Sequence, residues 1–360
     1  MGNSRKKYIT LQREEKGKKI FGVFPAQYPK EILWAMNILP VEIWDPPVEI
    51  SSAEAHLQPY ICSVVKLGLE LILQGKCDDL DGFLFPHTCD SIQNLASIVN
   101  DYLGSDKPCY FFYHPKSLPG KASRHYYKQQ LKVLISNLEK QHGPLDISRL
   151  NHCVEQGNEI AETIRDLYHQ RQKGELSISN AEYYKILRQG EYLDPTDYIK
   201  ILKRVSQNGQ RDAKDLPPVV LSGIIPNPMA ILEILDELGV SVVDDDLLNC
   251  GRRLLRSPSA QQEPLNAITE SYFSLPPCST KVSSISERMK HLLAKLVQSN
   301  ARGVIFNMTR FCEPELFDLP QLTKGLKDEG FPTLTLDTEL NQPGRGQLRT
   351  RLETFAEMIR

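Results

Sequence analysis

Short runs of consecutive apolar, β-branched and aromatic residues alternate along the chain with longer stretches in which apolar residues recur every three or four positions. The runs read as strands buried on both faces, and the periodic stretches as amphipathic helices. In the first part of the chain the runs are 20–24, 41–44, 82–85 and 110–113, with helices predicted to begin near Pro29, Ala53 and Asp90. A second series, 219–222, 241–244, 304–307 and 333–336, is separated by helices near 228–238, 283–299 and 315–327 and closed by one over about 348–359. This alternation predicts an α/β protein with two doubly wound parallel-sheet (flavodoxin/Rossmann-like) domains.

Between the two series, 123–205 shows no strand pattern. Ile147, Leu150, Val154, Gly157, Ala161, Ile164 and Tyr168 share one helical face, Asp146 precedes them as an N-cap, and Asp194-Pro195 reads as a cap followed by proline in the first turn. The polar, glycine-bearing stretch 206–215 reads as a linker. The layout expected is a charged arm (1–17), a first α/β domain (18–122), a helical insert or subdomain (123–205), the linker (206–215) and a second α/β domain ending in a helix (216–360). The segments GFLFPHTCDS (82–91) and GVIFNMTRFCEPE (303–315) echo each other: glycine, apolar strand, polar residues, cysteine, then an acid before a helix. Ligands of open α/β sheets bind at the carboxyl ends of strands, where this pattern puts Cys89 and Cys312.

Composition narrows the function. The chain has 360 residues, 41% of them hydrophobic and 24% charged, and its 43 Lys and Arg against 45 Asp and Glu leave a net charge of −2. That balance lacks the basic footprint of a nucleic-acid binder. The start, MGNSRKKYITLQREEKGKK, has no apolar core of a signal peptide, and no stretch approaches the roughly 18 apolar residues of a membrane span, so a cytoplasmic protein is expected. Eight cysteines in a reducing compartment are not disulfides, and without any CxxC they make neither a zinc ribbon nor a local ferredoxin motif. A site built from them must draw on distant parts of the chain; otherwise they are packing thiols. No P-loop, GxGxxG, GxSxG or HExxH occurs. His87 is the histidine beside a candidate site residue. Asp244, Asp245 and Asp246 read as an acidic loop after a strand that caps a helix, binds a cation or orients Arg252 and Arg253.

Five blocks, GVFPAQYPKEILWAMNILPVEIW, PYICSVVKLGLE, DGFLFPHTCDSIQNL, GVIFNMTRFCEPELFDLPQL and GQLRTRLETFAEMI, resemble in order and spacing the large iron–sulfur subunits of the 2-hydroxyacyl-CoA dehydratase / benzoyl-CoA reductase family. The resemblance implies one [4Fe-4S] cluster on Cys62, Cys89 and Cys312, with Cys250 and Cys278 as substitutes should one assignment fail. Three protein thiolates leave one iron open, able to act as a Lewis acid as well as an electron carrier. The implied chemistry is an oxygen-sensitive elimination of water from a 2-hydroxyacyl-CoA to an enoyl-CoA through a ketyl radical. The alternatives are an aryl-CoA (benzoyl-CoA) reductase subunit and a non-catalytic partner subunit for assembly or electron relay. The resemblance also implies an acyl-CoA substrate, a homologous partner subunit in a heterodimer, and a separate ATP-hydrolysing iron–sulfur activator, with neither nucleic acid nor membrane as partner. Within the matching blocks Tyr28 and Glu31 are candidates for the pocket wall, Glu31 reading equally as an exposed first-turn acid that complements the helix dipole. Arg349 and Arg351 are candidates for a CoA phosphate, or a solvated helix face.

Overall fold

All eight apolar runs overlap strands in the computed structural model, which describes residues 2–208, 216–257, 263–340 and 344–360; the run 41–44 does so only at its start, because its strand begins at Ile38 and ends at Glu42. The first sheet contains β1 (Lys19–Val23), β2 (Ile38–Glu42), β3 (Gly82–Pro86) and β4 (Cys109–Phe112) in the order β2-β1-β3-β4. The second contains β5 (Pro218–Gly223), β6 (Ser241–Leu247), β7 (Val304–Thr309) and β8 (Thr333–Thr338) in the order β6-β5-β7-β8. Every neighbouring pair is parallel, so each crossover carries helix, and the predicted α/β class with two Rossmann- or flavodoxin-like sheets is what the chain forms. The two sheets repeat one path. The chain steps from the first strand to one side, then crosses to the other, leaving a topological switch point beside β1 and beside β5.

The helices are α1 (Gly2–Glu14), α2 (Lys30–Ala35), α3 (Ser63–Leu73), α4 (Asp90–Ser97), α5 (Lys121–His142), α6 (Ile147–Gln172), α7 (Asn180–Gln189), α8 (Pro195–Asn208), α9 (Ala230–Glu237), α10 (Gly251–Leu254), α11 (Pro264–Phe273), α12 (Ile285–Gln298), α13 (Glu313–Asp328) and α14 (Arg345–Ile359). The expected helix at Ala53 is only one 3-10 turn, Ala53–Ala55, and helix proper starts ten residues later. The amides of Ser51 and Ala53 are bound by the Glu70 carboxylate at 3.0 and 2.8 Å, which satisfies them in a turn instead of a helical ladder. Asp146 caps α6 through the amides of Ser148 and Arg149, and Asp194 accepts from Thr196 at the head of α8, as their sequence positions predict. Residues 2–14 of the charged arm are helical, with Tyr8 and Ile9 packed on Ile20, Leu39 and Val41.

By its contacts the chain divides into one unit of Met1–Ile160, Gln189–Tyr198 and Arg256–Ser274 and another of Ala161–Arg188, Ile199–Leu255 and Leu275–Arg360. The helical stretch 123–205 is shared between the two. Of the expected linker, 206–208 completes α8 and 209–215 lies outside the described residues. The first unit's core is aromatic: Phe24 stacks on Phe85 with ring centres 4.8 Å apart, and Gly68 on α3 leaves the room that a Cβ would take 2.5 Å from the Phe24 ring. In the second, Val220, Val304, Phe306, Leu292, Leu296, Leu322 and Leu326 pack β5 and β7 against α12 and α13. Among the described residues no helix is long and apolar enough to cross a membrane.

Candidate cofactor-binding site

At the first switch point the loops after β1 and β3 are bonded to each other. Thr88, buried after β3, accepts from the amide of Ala26 at 2.9 Å and donates its hydroxyl proton to the carbonyl of Pro25 at 2.8 Å. The next residue, Cys89, is the N-cap of α4 in extended conformation, and Cys62 is the extended N-cap of α3. Each thiol stands where a capping oxygen usually stands, facing first-turn amides: those of Val64 and Val65 at Cys62, those of Ser91 and Ile92 at Cys89. Burial pushes the Cys62 thiol up to about 12, the neighbouring charge of Cys89 adds to the rise, and the amides oppose it. Cys89 is raised by the same burial. The two sulfurs are thus close enough to repel as thiolates, and both are protonated at neutral pH unless a cation joins them.

In the second unit the loop after β7, the counterpart of β3, ends in Cys312, the N-cap of α13. The echo between 82–91 and 303–315 is therefore a likeness of topological position. Asn307 on β7 donates to the carbonyls of Ile225 (2.9 Å) and Asn227 (2.8 Å), so here too the loop after the first strand is tied to the third strand. Gly223 has φ +149°, and a Cβ there would lie 2.2 Å from the Asn307 carbonyl oxygen.

The pocket candidates from the sequence lie in the first unit. The Tyr28 hydroxyl donates to Glu42 Oε1 at 3.0 Å; the same buried carboxylate accepts Trp44 Nε1 at 2.7 Å and pairs with Lys30 at 2.7 Å. Glu31 is not the exposed acid expected. It is buried against Arg256 at 2.5 Å, and the pair fits because Gly157 on α6 has no side chain; a Cβ would lie 2.3 Å from Arg256. Gln27, in the same loop, is 6% exposed, and its Nε2 has no hydrogen-bond partner among the described residues. Sequence reasoning passed over Glu42 and Thr88. The available signals were an acid closing an apolar strand before tryptophan, and a threonine directly before the candidate cysteine.

The remaining candidates find partners within their own units. His87 lies 3.4 Å from Asp90 and edge-on to the Tyr113 ring. Arg349 pairs with Glu237 and Glu353, and Arg351 donates to the Thr335 carbonyl, on the outer face of α14. Cys250 donates to Asn249, and Cys278 lies between Arg252 and Thr280, both thiols fully buried. Asp244, Asp245 and Asp246 are a correction: they lie inside β6, which runs on to Leu247, rather than in a loop after it. Asp246 orients Arg252, Asp245 accepts the Gly251 amide that opens α10, and Arg253 donates to the Asn249 carbonyl. No group of three His, Cys, Asp or Glu side chains gathers as a metal site among the described residues; Cys62 with Cys89 is a pair.

Residues 25–359 match the family described as 2-hydroxyglutaryl-CoA dehydratase, D-component. The chain is 26% identical to the (R)-phenyllactyl-CoA dehydratase beta subunit of Clostridium sporogenes, covering 98% of this chain and 95% of that one. With the lactoyl-CoA dehydratase subunit beta of Anaerotignum propionicum it shares 24% over 98% and 95%, and with a benzoyl-CoA reductase subunit of Thauera aromatica 25% over 95% and 91%. This match over residues 25–359 places the chain in the 2-hydroxyglutaryl-CoA dehydratase D-component family.

Proposed function

We propose that this chain is the iron–sulfur subunit of a 2-hydroxyacyl-CoA dehydratase, holding a [4Fe-4S] cluster on Cys62, Cys89 and Cys312 and acting with a related partner subunit. The observation that carries the reading is the pair of neighbouring N-cap thiols, buried Cys62 at the head of α3 and half-buried Cys89 at the head of α4. Such a donor set fits a cluster. Burial keeps unligated thiols neutral, ligation by iron reverses the preference, and first-turn amides aimed at the sulfurs stabilise ligated thiolates. Gln27, which follows the Ala26 amide held by Thr88, has a buried Nε2 with no partner among the described residues, a donor free for a ligand's acceptor.

When bound, the cluster supplies low-potential single electrons and an iron open to an oxygen ligand. The protein's part is binding and orientation. The first-turn amides of α3 and α4 lie near the Cys62 and Cys89 sulfurs, Thr88 fixes the loop bearing Ala26 and Gln27, and Glu42 fixes the Tyr28 hydroxyl. Gln27 offers an N–H to a thioester or hydroxyl oxygen. An iron–sulfur activator would deliver the electron from outside the chain.

A second reading, as part of an aryl-CoA reductase, is favoured by the likeness to the benzoyl-CoA reductase of Thauera aromatica, which is as great as that to the dehydratases. Anaerobic purification with iron and sulfide analysis tests both. About four irons per chain are expected, and fewer than about three overturn either enzyme. Cys89→Ser removes the cluster spectrum and Cys153→Ser keeps it. The electron paramagnetic resonance spectrum of the reduced protein then separates the readings, by whether a 2-hydroxyacyl-CoA or an aryl-CoA perturbs it.

A further inference from the structure

The second unit contains a buried ionic network centred on Arg252. Its guanidinium takes Asp246 through two bonds of 2.8 Å and, along its other edge, Glu315 through bonds of 2.5 and 3.1 Å. Arg252, Asp246 and Glu315 are all almost wholly inaccessible to water. Asp246 belongs to β6, held in register against β5, and its carboxylate also accepts the Ser222 hydroxyl of that neighbouring strand. Glu315 belongs to the first turn of α13, and its amide donates to the carbonyl of Cys312 at 3.1 Å. Arg288 seconds the contact, bonding Asp246 at 3.1 Å and Asp318, one turn further along α13, at 2.6 Å.

A buried ion network of this kind contributes little net stability compared with apolar packing of the same volume; what it supplies is a defined geometry. The segment it fixes needs one. Cys312 follows Phe311, a non-glycine residue at φ +62°, and the outer side of the first turn is open, with Phe317 70% exposed and Leu316 also exposed. The Cys312 amide is tied to the Thr309 carbonyl of β7 at 3.0 Å, and the side-chain anchor of the turn on β6 is Glu315, through Arg252.

We infer that Arg252 is a positioning residue for Cys312: clamped between Asp246 of β6 and Glu315 of α13, it sets where the Cys312 sulfur is presented for ligation. The inference rests on the cluster reading for its purpose, while its geometry lies wholly within the second unit. Lysine cannot replace arginine here, because one ammonium does not reach two carboxylates with paired bonds.

Site-resolved alkylation tests the clamp without the cluster. Cluster-free wild type, Glu315→Gln and Arg252→Lys are treated with iodoacetamide under native conditions, and the rates at Cys312, Cys62 and Cys89 are read by mass spectrometry. The expected result is a ~tenfold faster reaction at Cys312 in both variants, as local opening of one turn produces, with Cys62 and Cys89 unchanged. Reconstituted variants should hold less iron and give an altered reduced resonance spectrum. A wild-type rate at Cys312 in Glu315→Gln overturns the inference, as does an equal rise at all three thiols, which marks general loosening. Should Arg252→Lys not fold, Glu315→Gln, which keeps the side-chain shape, decides alone. A wild-type protein that takes up no iron refutes the proposed function, whereas the alkylation rates still judge the clamp.

Discussion

Glu70 shows how one side chain shapes the approach to the site. It is fully buried, and its carboxylate accepts the amides of Ser51 (3.0 Å) and Ala53 (2.8 Å), the Ser51 hydroxyl (3.0 Å) and Gln74 Nε2 (2.8 Å). Burial alone would raise its pKa, but the four donors hold it down to about 2. Only an ionised acid can accept all four, so the turn preceding Cys62 is built on a charge. Glu70→Gln places an NH2 group against amide donors and leaves at least one of them unsatisfied, at a cost of about 2 kcal/mol in unfolding free energy. A urea denaturation series would show it as a lower midpoint with unchanged slope. The loss should shrink as pH falls from 4.5 toward 2, where wild-type Glu70 also becomes protonated and its contribution disappears.

Elements were far more legible in the sequence than their partners. The strands stood out because their side chains are apolar on both faces, and the N-caps Asp146 and Asp194 because capping is local chemistry. What remained hidden depends on residues distant in sequence. Asp244, Asp245 and Asp246 looked like the end of a strand because acids seldom continue one; they do so here because Lys295, Arg252 and the hydroxyls of Tyr168 and Tyr184 arrive from other helices. Glu31 looked exposed because neither Arg256 nor the gap at Gly157 is near it in sequence. Strand-end position found Cys89 and Cys312, whereas Cys62 needed the family resemblance, since a long loop separates it from β2. The tie between β5 and β7 permits a sharp test at this scale. Gly223→Ala puts a methyl 2.2 Å from the Asn307 carbonyl oxygen at a φ that disfavours side chains, so a loss of more than about 3 kcal/mol is expected. Gly344→Ala, with nothing within 4 Å of its Cβ and an ordinary φ, should stay within about 0.5 kcal/mol of wild type. Equal thermal shifts for the two would refute the close approach of the β5 and β7 backbones.

At the scale of the whole molecule, the charged groups predict that the two units weaken at different pH. His291 belongs to the second, where burial lowers its pKa from the ordinary 6.5 to about 4; Asp246 opposes the shift, joined by Asp244, while Lys295 and Arg252 assist it. A histidine depressed on folding contributes stability that is complete above 6.5 and lost as pH falls toward 4, roughly 2–3 kcal/mol in all. Glu315 and Asp246, whose pKa values Arg252 and Arg288 hold down against burial, add a further loss below 4.5. Asp245 acts the other way, raised by burial, and regains part of that loss on protonation. In the first unit Glu70 stays charged to about 2; His142 is lowered by burial, but its half-buried ring is partly screened by water. Acidification from pH 6.5 should therefore loosen the second unit first. The chain's two tryptophans, Trp34 and Trp44, both lie in the first, so their fluorescence reports that unit alone while far-ultraviolet circular dichroism reports both. Ellipticity is expected to fall at a higher pH than the fluorescence changes. Since His291 Nε2 has no hydrogen-bond partner among the described residues, His291→Leu removes the titration at little structural cost and should draw the two transitions together. Coincident transitions in the wild type, or a gap that His291→Leu leaves intact, would show that this imidazole does not set the acid limit of the second unit.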